Sequence, residues 1–272
     1  MANVSKPVAL VSGASSGIGK DIALRLIREG YVVYGGARRV GNMADIEAAG
    51  GHAIALDVTD DASMTQAVDR IMREQRRLDV LVNGTGYGQY GALEDVPMAE
   101  ARRQMETNLI GAARLVQLCL PHMRAAGDGA ILNISSIGGK FALPLGGWYH
   151  ASKFALEGYS DALRNEVRQF GIEVIVIEPG GIASEWESIA ADEAARLSGG
   201  GAYAAMVEKF RNMRGKRQAP PPAVVSNLVV RALNARRPAT RYSGGLMARP
   251  LLFLRRHLSD RMFDRLIMSA FR

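Results

Sequence analysis

The stretch VALVSGASSGIGKDIALRLIREG, residues 8–30, decides how the rest of the chain is read. VALVS (8–12) is a short run of apolar residues with the length of a buried strand. SGASSGIG (12–19) has glycines at 13, 17 and 19, and IGKDIALRLIREG (18–30) has the apolar spacing of a helix closed by Gly30. Glycines let a backbone come close to a pyrophosphate, and the first turn of a helix offers free N–H groups and the positive end of a dipole. Strand, Gly-rich turn and helix in that order predict a dinucleotide site. The spacing is G-x-x-x-G-x-G, so the more general G-x-G-x-x-G fingerprint does not apply.

Outward from this unit the alternation continues. YVVYGG (31–36), HAIALDV (52–58), DVLVN (79–83), GAILNISS (129–136) and IEVIVIEPG (172–180) read as further strands, separated by helical patterns over about 61–76, 98–125 and 147–170. Strands apolar on both faces and alternating with helices predict an α/β fold, a doubly wound parallel sheet of about seven strands with helices on both faces. One domain is expected over 1–272, with a helical lid at about 185–217 and a basic amphipathic extension at about 246–272. QAPPPAVV (218–225) reads as the start of a late helix rather than a linker.

The net charge of +7 is unevenly placed: residues 1–208 hold 19 Lys/Arg against 25 Asp/Glu, residues 209–272 hold 15 against 2. The basic part lacks the interleaved aromatics of a single-strand binding platform, so no nucleic-acid partner is expected. A single cysteine, Cys119, excludes a disulfide within the chain, and His52, His122, His150 and His257 have no metal-ligand spacing. No stretch has the length and apolarity of a membrane span, and a cytoplasmic protein is expected. In ARPLLFLRRHLSDRMFDRLIMSAF (248–271), Leu251, Leu254, Leu258, Met262 and Leu266 fall at helical spacing, with Arg255, Arg256, Arg261 and Arg265 elsewhere. Such a helix packs on its own domain or on a partner subunit, or lies on an anionic membrane.

YHASK (149–153) places Tyr149 and Lys153 four residues apart on one helix face. Carbonyl reduction needs a proton donor, and alcohol oxidation needs the reverse. A nearby ammonium favours the phenolate, which suits a tyrosine to that work.

Taken in order, these motifs resemble the short-chain dehydrogenase/reductase family over residues 7–185, and the C-terminal extension resembles that of its hydroxysteroid and retinol dehydrogenase-like branch. SGASSGIG resembles the family's T-G-x-x-x-G-x-G, which implies cofactor contacts at Gly13, Ser15, Ser16, Gly17, Ile18 and Gly19. NGTG (83–86) stands where the family has N-N-A-G: Asn83 and Gly86 match, Gly84 and Thr85 depart. The resemblance implies a Rossmann-type fold and catalytic roles for Asn108, Ser136, Tyr149 and Lys153. In it the serine holds the substrate oxygen, the lysine also bonds the nicotinamide ribose, and the asparagine supports a water chain to the lysine. EPGGIAS (178–184) resembles the segment bordering the nicotinamide, which implies contacts at Pro179, Gly180, Ile182 and Ser184; Asp57 and Val58 resemble the adenine-contacting pair.

After strand two, where an acid marks NAD use, GGARRV (35–40) has Ala37, Arg38 and Arg39. Two guanidiniums and no carboxylate suit a 2′-phosphate, so NADP(H) is the expected cofactor. IGGKFALPLGGW (137–148), the Tyr87 region and the loop after Pro179 are expected to face the substrate, the first through Phe141, Leu143, Leu145 and Trp148, with Lys140 its one charge. The expected substrate is a small lipophilic ketone, aldehyde or alcohol. A 3-oxoacyl thioester reductase and a non-catalytic NADP-sensing protein are the alternatives, and a homodimer or homotetramer is the assembly that the resemblance implies.

Overall fold

The structure is a computed structural model that describes residues 6–184, 186–214 and 218–271. Seven parallel strands form one sheet in the order β3-β2-β1-β4-β5-β6-β7. They are β1 (Val8–Ser12), β2 (Val32–Ala37), β3 (His52–Ala55), β4 (Val80–Asn83), β5 (Gly129–Ile134), β6 (Ile172–Pro179) and β7 (Arg241–Gly244). Six of them fall on the strand stretches read from the sequence. The order reverses between β1 and β4, which opens a crevice at the carboxyl edge of the sheet.

Alternation along each strand sends side chains to two separate cores. Val8 and Leu10 of β1 join one, and Ala9 and Val11 join the other. Helices α3 (Asp61–Gln75), α5 (Gly111–Ala126) and α6 (Gly147–Val167) cover the first through Ile71, Leu115, Met123 and Leu163. On the opposite face α1 (Gly17–Arg28), α2 (Ala44–Ala48) and α9 (Ala223–Leu233) cover the second through Ile22, Leu26, Ile46 and Val229. Both faces of the sheet are therefore buried.

Two departures from the sequence reading bear on the site. The helix expected over 98–125 is α4 (Met98–Met105), a π turn (Glu106–Ile110) and α5, with Asn108 inside the π turn. Such a turn adds a residue to the helical circuit and re-aims the side chains within it. The second departure is at the C-terminus, where one continuous helix was expected and two form, α10 (Ala248–His257) and α11 (Asp260–Ser269). Leu258 and Ser259 are extended between them, so the apolar register restarts. Phe263, Ile267 and Phe271 turn inward, while Met262 and Leu266 of the expected stripe are 53% and 40% exposed.

The lid segment contains α7 (Trp186–Ser198) and α8 (Ala204–Arg214); residues 185 and 215–217 of that segment, and 272 of the extension, lie outside the described residues. The late helix begins at Ala223, next to the proline cluster. Among the described residues no helix is long and apolar enough to cross a membrane.

Leu10 is fully buried in the central strand. Leu10→Ala should lower unfolding free energy by about 2–5 kcal/mol through lost transfer energy and a residual cavity, read from urea denaturation.

Candidate active site

The first βα turn closes tightly. Gly13 has a φ of +76°, and a Cβ on Gly19 would stand 2.3 Å from the Gly13 carbonyl oxygen. Behind the turn the buried Ser12 hydroxyl accepts from the N–H groups of Gly84 (3.1 Å) and Thr85 (3.2 Å), tying the end of β1 to the end of β4. At Gly84, one of the departures from the family pattern, a Cβ would stand 2.6 Å from the Ser12 carbonyl oxygen. The two loops meet too closely there for a side chain.

A cavity of about 1290 Å³ runs along the carboxyl edge from these loops. Of the sequence-predicted residues, Gly13, Ser15, Ser16, Gly17, Ile18 and Gly19 line it at the first turn. Arg38, Arg39, Asp57 and Val58 line it after β2 and β3, and Pro179, Gly180, Ile182 and Ser184 line it after β6. Gly86, Ser136, Tyr149 and Lys153 line its middle. Asn83 and Asn108 do not line it.

Asn83 instead begins a buried polar chain. Its Nδ2 donates to Asn133 Oδ1 (2.8 Å), Asn133 Nδ2 donates to Ser160 Oγ (2.8 Å), and Ser160 donates to the Leu156 carbonyl (2.6 Å). That chain pins α6 to β4 and β5. Asn108 pins α6 again: its Nδ2 donates to Ser152 Oγ (3.1 Å), which donates to the Tyr149 carbonyl (2.7 Å).

Lys153 is 5% exposed and donates to the Ile134 carbonyl at 2.8 Å, with its Nζ 6.0 Å from the Tyr149 ring centroid. Burial pulls its pKa down to about 8, opposed by the charge of Glu157 one turn further along α6. Ser136 Oγ accepts from the Gly138 N–H (3.0 Å) and donates to the Pro179 carbonyl (3.4 Å). Burial raises the Asp57 carboxyl, but the Thr59 N–H and hydroxyl, with Arg38 and Arg103, more than reverse this and leave it below its ordinary range.

The segment between Ser136 and Tyr149 divides. Phe141 and Leu143 face the cavity, whereas Leu145 and Trp148 do not line it. Lys140 also turns away, to Glu157 (2.7 Å) and Glu178 (3.6 Å), which Arg241 of β7 shares at 3.0 and 3.4 Å. This ionic cluster takes the segment's one charge away from the cavity, which Glu193 and Arg196 of α7 line instead. Sequence reasoning missed Phe210 of α8, Leu251 of α10 and Phe271, which also line the cavity. Phe271 belongs to the apolar cluster that contains Tyr90, Tyr149 and Phe210, and Tyr90 stacks on Phe210 with centroids 5.1 Å apart. These residues carry no motif; the inward face of the second C-terminal helix was the one available signal.

A doubly wound sheet with a Gly-rich first turn and a cleft at its carboxyl edge defines a Rossmann-type α/β protein. Residues 7–194 match the family model described as short chain dehydrogenase, and the chain belongs to that family of oxidoreductases. It is 45% identical over 174 residues to 3-ketodihydrosphingosine reductase of Bacteroides thetaiotaomicron, a match that spans 64% of this chain and 63% of that protein's length. A short-chain dehydrogenase from Streptomyces avermitilis superimposes with a TM-score of 0.81 at 34% identity, covering 97% of each chain. A metagenomic short-chain oxidoreductase, solved in complex with NADP, superimposes with a TM-score of 0.69 at 28% identity, covering 88% of this chain and 96% of its own.

Because Lys153 titrates lower folded than unfolded, the folded protein binds fewer protons between about pH 8 and 10.5. Stability should therefore rise with pH across that window, with the full penalty present below it. Lys153→Met should remove this rise and add on the order of 2 kcal/mol at neutral pH, measured by urea denaturation beside the native protein.

Proposed function

We propose that the protein is an NADP(H)-dependent oxidoreductase that interconverts a lipophilic ketone or aldehyde and its alcohol. The observation that carries this reading is that Ser136, Tyr149 and Lys153 share one cavity with the glycine turn and Arg38. Gly13, Gly17 and Gly19 line the cavity at the start of α1 and put no side chain there, which fits a pyrophosphate. Ala37 offers no carboxylate at the end of β2, and the Arg38 guanidinium beside it suits a 2′-phosphate. The NADP complex of the metagenomic relative supports the same cofactor.

When bound, the nicotinamide donates or accepts the hydride. Tyr149 gives its phenolic proton to the oxygen of the carbonyl during reduction and takes it back during oxidation. Lys153 in its ammonium form favours the phenolate and so makes the proton easier to release. Ser136, fixed by the Gly138 N–H, can swing its own O–H from the Pro179 carbonyl to the substrate oxygen. Asn108 acts through Ser152 to fix the turn of α6 that carries Tyr149.

Phe141, Leu143, Phe210, Leu251 and Phe271 make the far wall apolar, which supports a lipophilic substrate. The relative named for 3-ketodihydrosphingosine supports a ketone on a long chain. Phe253, Met262 and Leu266 are exposed beside Arg256, Arg261 and Arg265, which supports contact of the C-terminal extension with an anionic bilayer surface from the cytoplasm. Exposed Ile110 and Phe154, on neighbouring helices, support assembly with a second copy.

Loss of NADPH absorbance should be seen with at least one of a long-chain ketone, a retinoid aldehyde, a steroid ketone and a 3-oxoacyl thioester. Turnover of the thioester alone would select the acyl-carrier reading. Tyr149→Phe should lower kcat by a factor of about 100 or more, and tight NADPH binding with no turnover of any carbonyl would favour a cofactor-sensing protein instead. Arg38→Ala should raise the Kd for NADPH about tenfold while leaving that for NADH within about twofold, read by fluorescence titration.

A further inference from the structure

Ser136 and Tyr149, which serve the reacting oxygen, stand on different elements. Ser136 precedes a short helical turn (Ile137–Gly139) after β5, and Tyr149 lies in the first turn of α6. Two groups can act together on one oxygen only if the distance between them is fixed. On one side α6 is held by Asn108, which accepts from the Tyr87 N–H (3.1 Å), donates to the Tyr87 carbonyl (3.0 Å) and donates to Ser152 (3.1 Å). On the other side the residue next to Tyr149 reaches the turn that follows Ser136.

That residue is His150, which is 3% exposed, with its Nδ1 2.9 Å from the Gly138 carbonyl oxygen. A carbonyl oxygen only accepts, so Nδ1 carries a proton and donates it. The N–H of the same glycine donates to Ser136 Oγ at 3.0 Å. Gly138 is therefore held at both ends, by the imidazole at its carbonyl and by the serine at its N–H. A side chain there would break the arrangement, because a Cβ on Gly138 would stand 2.8 Å from His150 Nδ1 and 3.3 Å from Ser136 Oγ. The far edge of the ring meets Gly146, where a Cβ would stand 3.0 Å from Cδ2 and Nε2. An imidazole packed between two glycines has little room to shift. Lys140 gives the turn a second link to α6 through Glu157 (2.7 Å), but at its far end from Ser136.

We infer that His150 is a positioning residue for the reaction: by donating to the Gly138 carbonyl it aims the Gly138 N–H at Ser136 Oγ, and so sets where the Ser136 hydroxyl stands relative to Tyr149. With one lone pair of Oγ taken by that N–H, the serine proton is left to point at an acceptor, the Pro179 carbonyl at 3.4 Å or the substrate oxygen in its place. The role is indirect, since the imidazole acts through Gly138 and Ser136. This inference rests on the oxidoreductase reading of the same cavity.

The test is steady-state turnover with NADPH and four probes, 2-dodecanone, retinal, androstenedione and acetoacetyl-CoA, using whichever the native protein reduces. The variants are His150→Asn, His150→Leu, Ser136→Ala and the double variant Ser136→Ala with His150→Leu. Asparagine carries an N–H two bonds beyond Cβ, where Nδ1 stands, and leucine carries a methyl there. His150→Leu should lower kcat about 10- to 100-fold while KM and the Kd for NADPH stay within about twofold of native. His150→Asn should restore the donor and keep kcat within about threefold of native. In the Ser136→Ala background the leucine change should cost no more than about twofold, because the group it positions is already gone. A leucine variant with native kcat, an asparagine variant that loses as much as leucine does, or losses that multiply in the double variant would overturn the inference and leave the reductase reading in place. If the leucine variant neither binds NADPH nor shows an unfolding transition, the asparagine variant decides: kcat within about threefold of native upholds the inference, and a loss of about tenfold or more overturns it. Failure of the native protein to oxidise NADPH with any of the four probes would overturn the reductase reading and this inference with it.

Discussion

A parallel sheet buried on both faces leaves polar chemistry one place to collect, its carboxyl edge. Val8 and Leu10 serve one core and Ala9 and Val11 the other, so no side chain in the middle of β1 is free for a ligand. What is free is the edge, where Ser12, Ala37, Asn83, Ile134 and Pro179 end their strands. The reversal of strand order between β1 and β4 sends the helices that follow them to opposite faces of the sheet, and the cavity runs along the edge where they part. The site is built from loops that leave this edge and from the helices packed beside it, α6 with Tyr149 and Lys153 above all.

Precise placement of those loops comes from buried hydrogen bonds. Ser12 joins the β1 and β4 turns, the Asn83–Asn133–Ser160 chain joins β4, β5 and α6, and Asn108 joins the loop after β4 to the turn of Tyr149. In a low-dielectric interior an unmade hydrogen bond is expensive, so these links behave nearly as fixed joints. Two asparagines read from the sequence as contacts to cofactor or water thus have side chains engaged inside the protein, holding the groups that line the cavity. The ionic cluster of Lys140, Glu157, Glu178 and Arg241 does similar work at the far end, joining the Ser136 segment to α6, β6 and β7.

Much of this was legible in the sequence, for physical reasons. Buried parallel strands are short, apolar and punctuated by glycine, and six of the seven announce themselves. The seventh, RYSG, is half-buried at the sheet edge and has no such signature. Tyr149 and Lys153 were legible because helical geometry makes i and i+4 neighbours without any knowledge of the fold. Phe210 and Phe271 were not, because their meeting with Tyr90 and Tyr149 depends on how segments far apart in the chain pack. The C-terminal stripe misled because periodicity was carried across Leu258 and Ser259, where the backbone becomes extended and the apolar face restarts at Phe263.

The same geometry explains why the site is held under thermodynamic load. Lys153 gives up solvent for the Ile134 carbonyl, and its lowered pKa records that loss. The Tyr87 hydroxyl gives up solvent with no hydrogen-bond partner among the described residues. Neither choice favours the empty fold, and an apolar residue in either place would stabilise it. In exchange, an ammonium at Lys153 can act on a phenolate in a medium that screens it weakly. Stability forgone at Lys153, which lines the cavity, is what a protein organised around a bound ligand should show, and the buried hydrogen-bond chains that hold α6 are what keep that arrangement from relaxing.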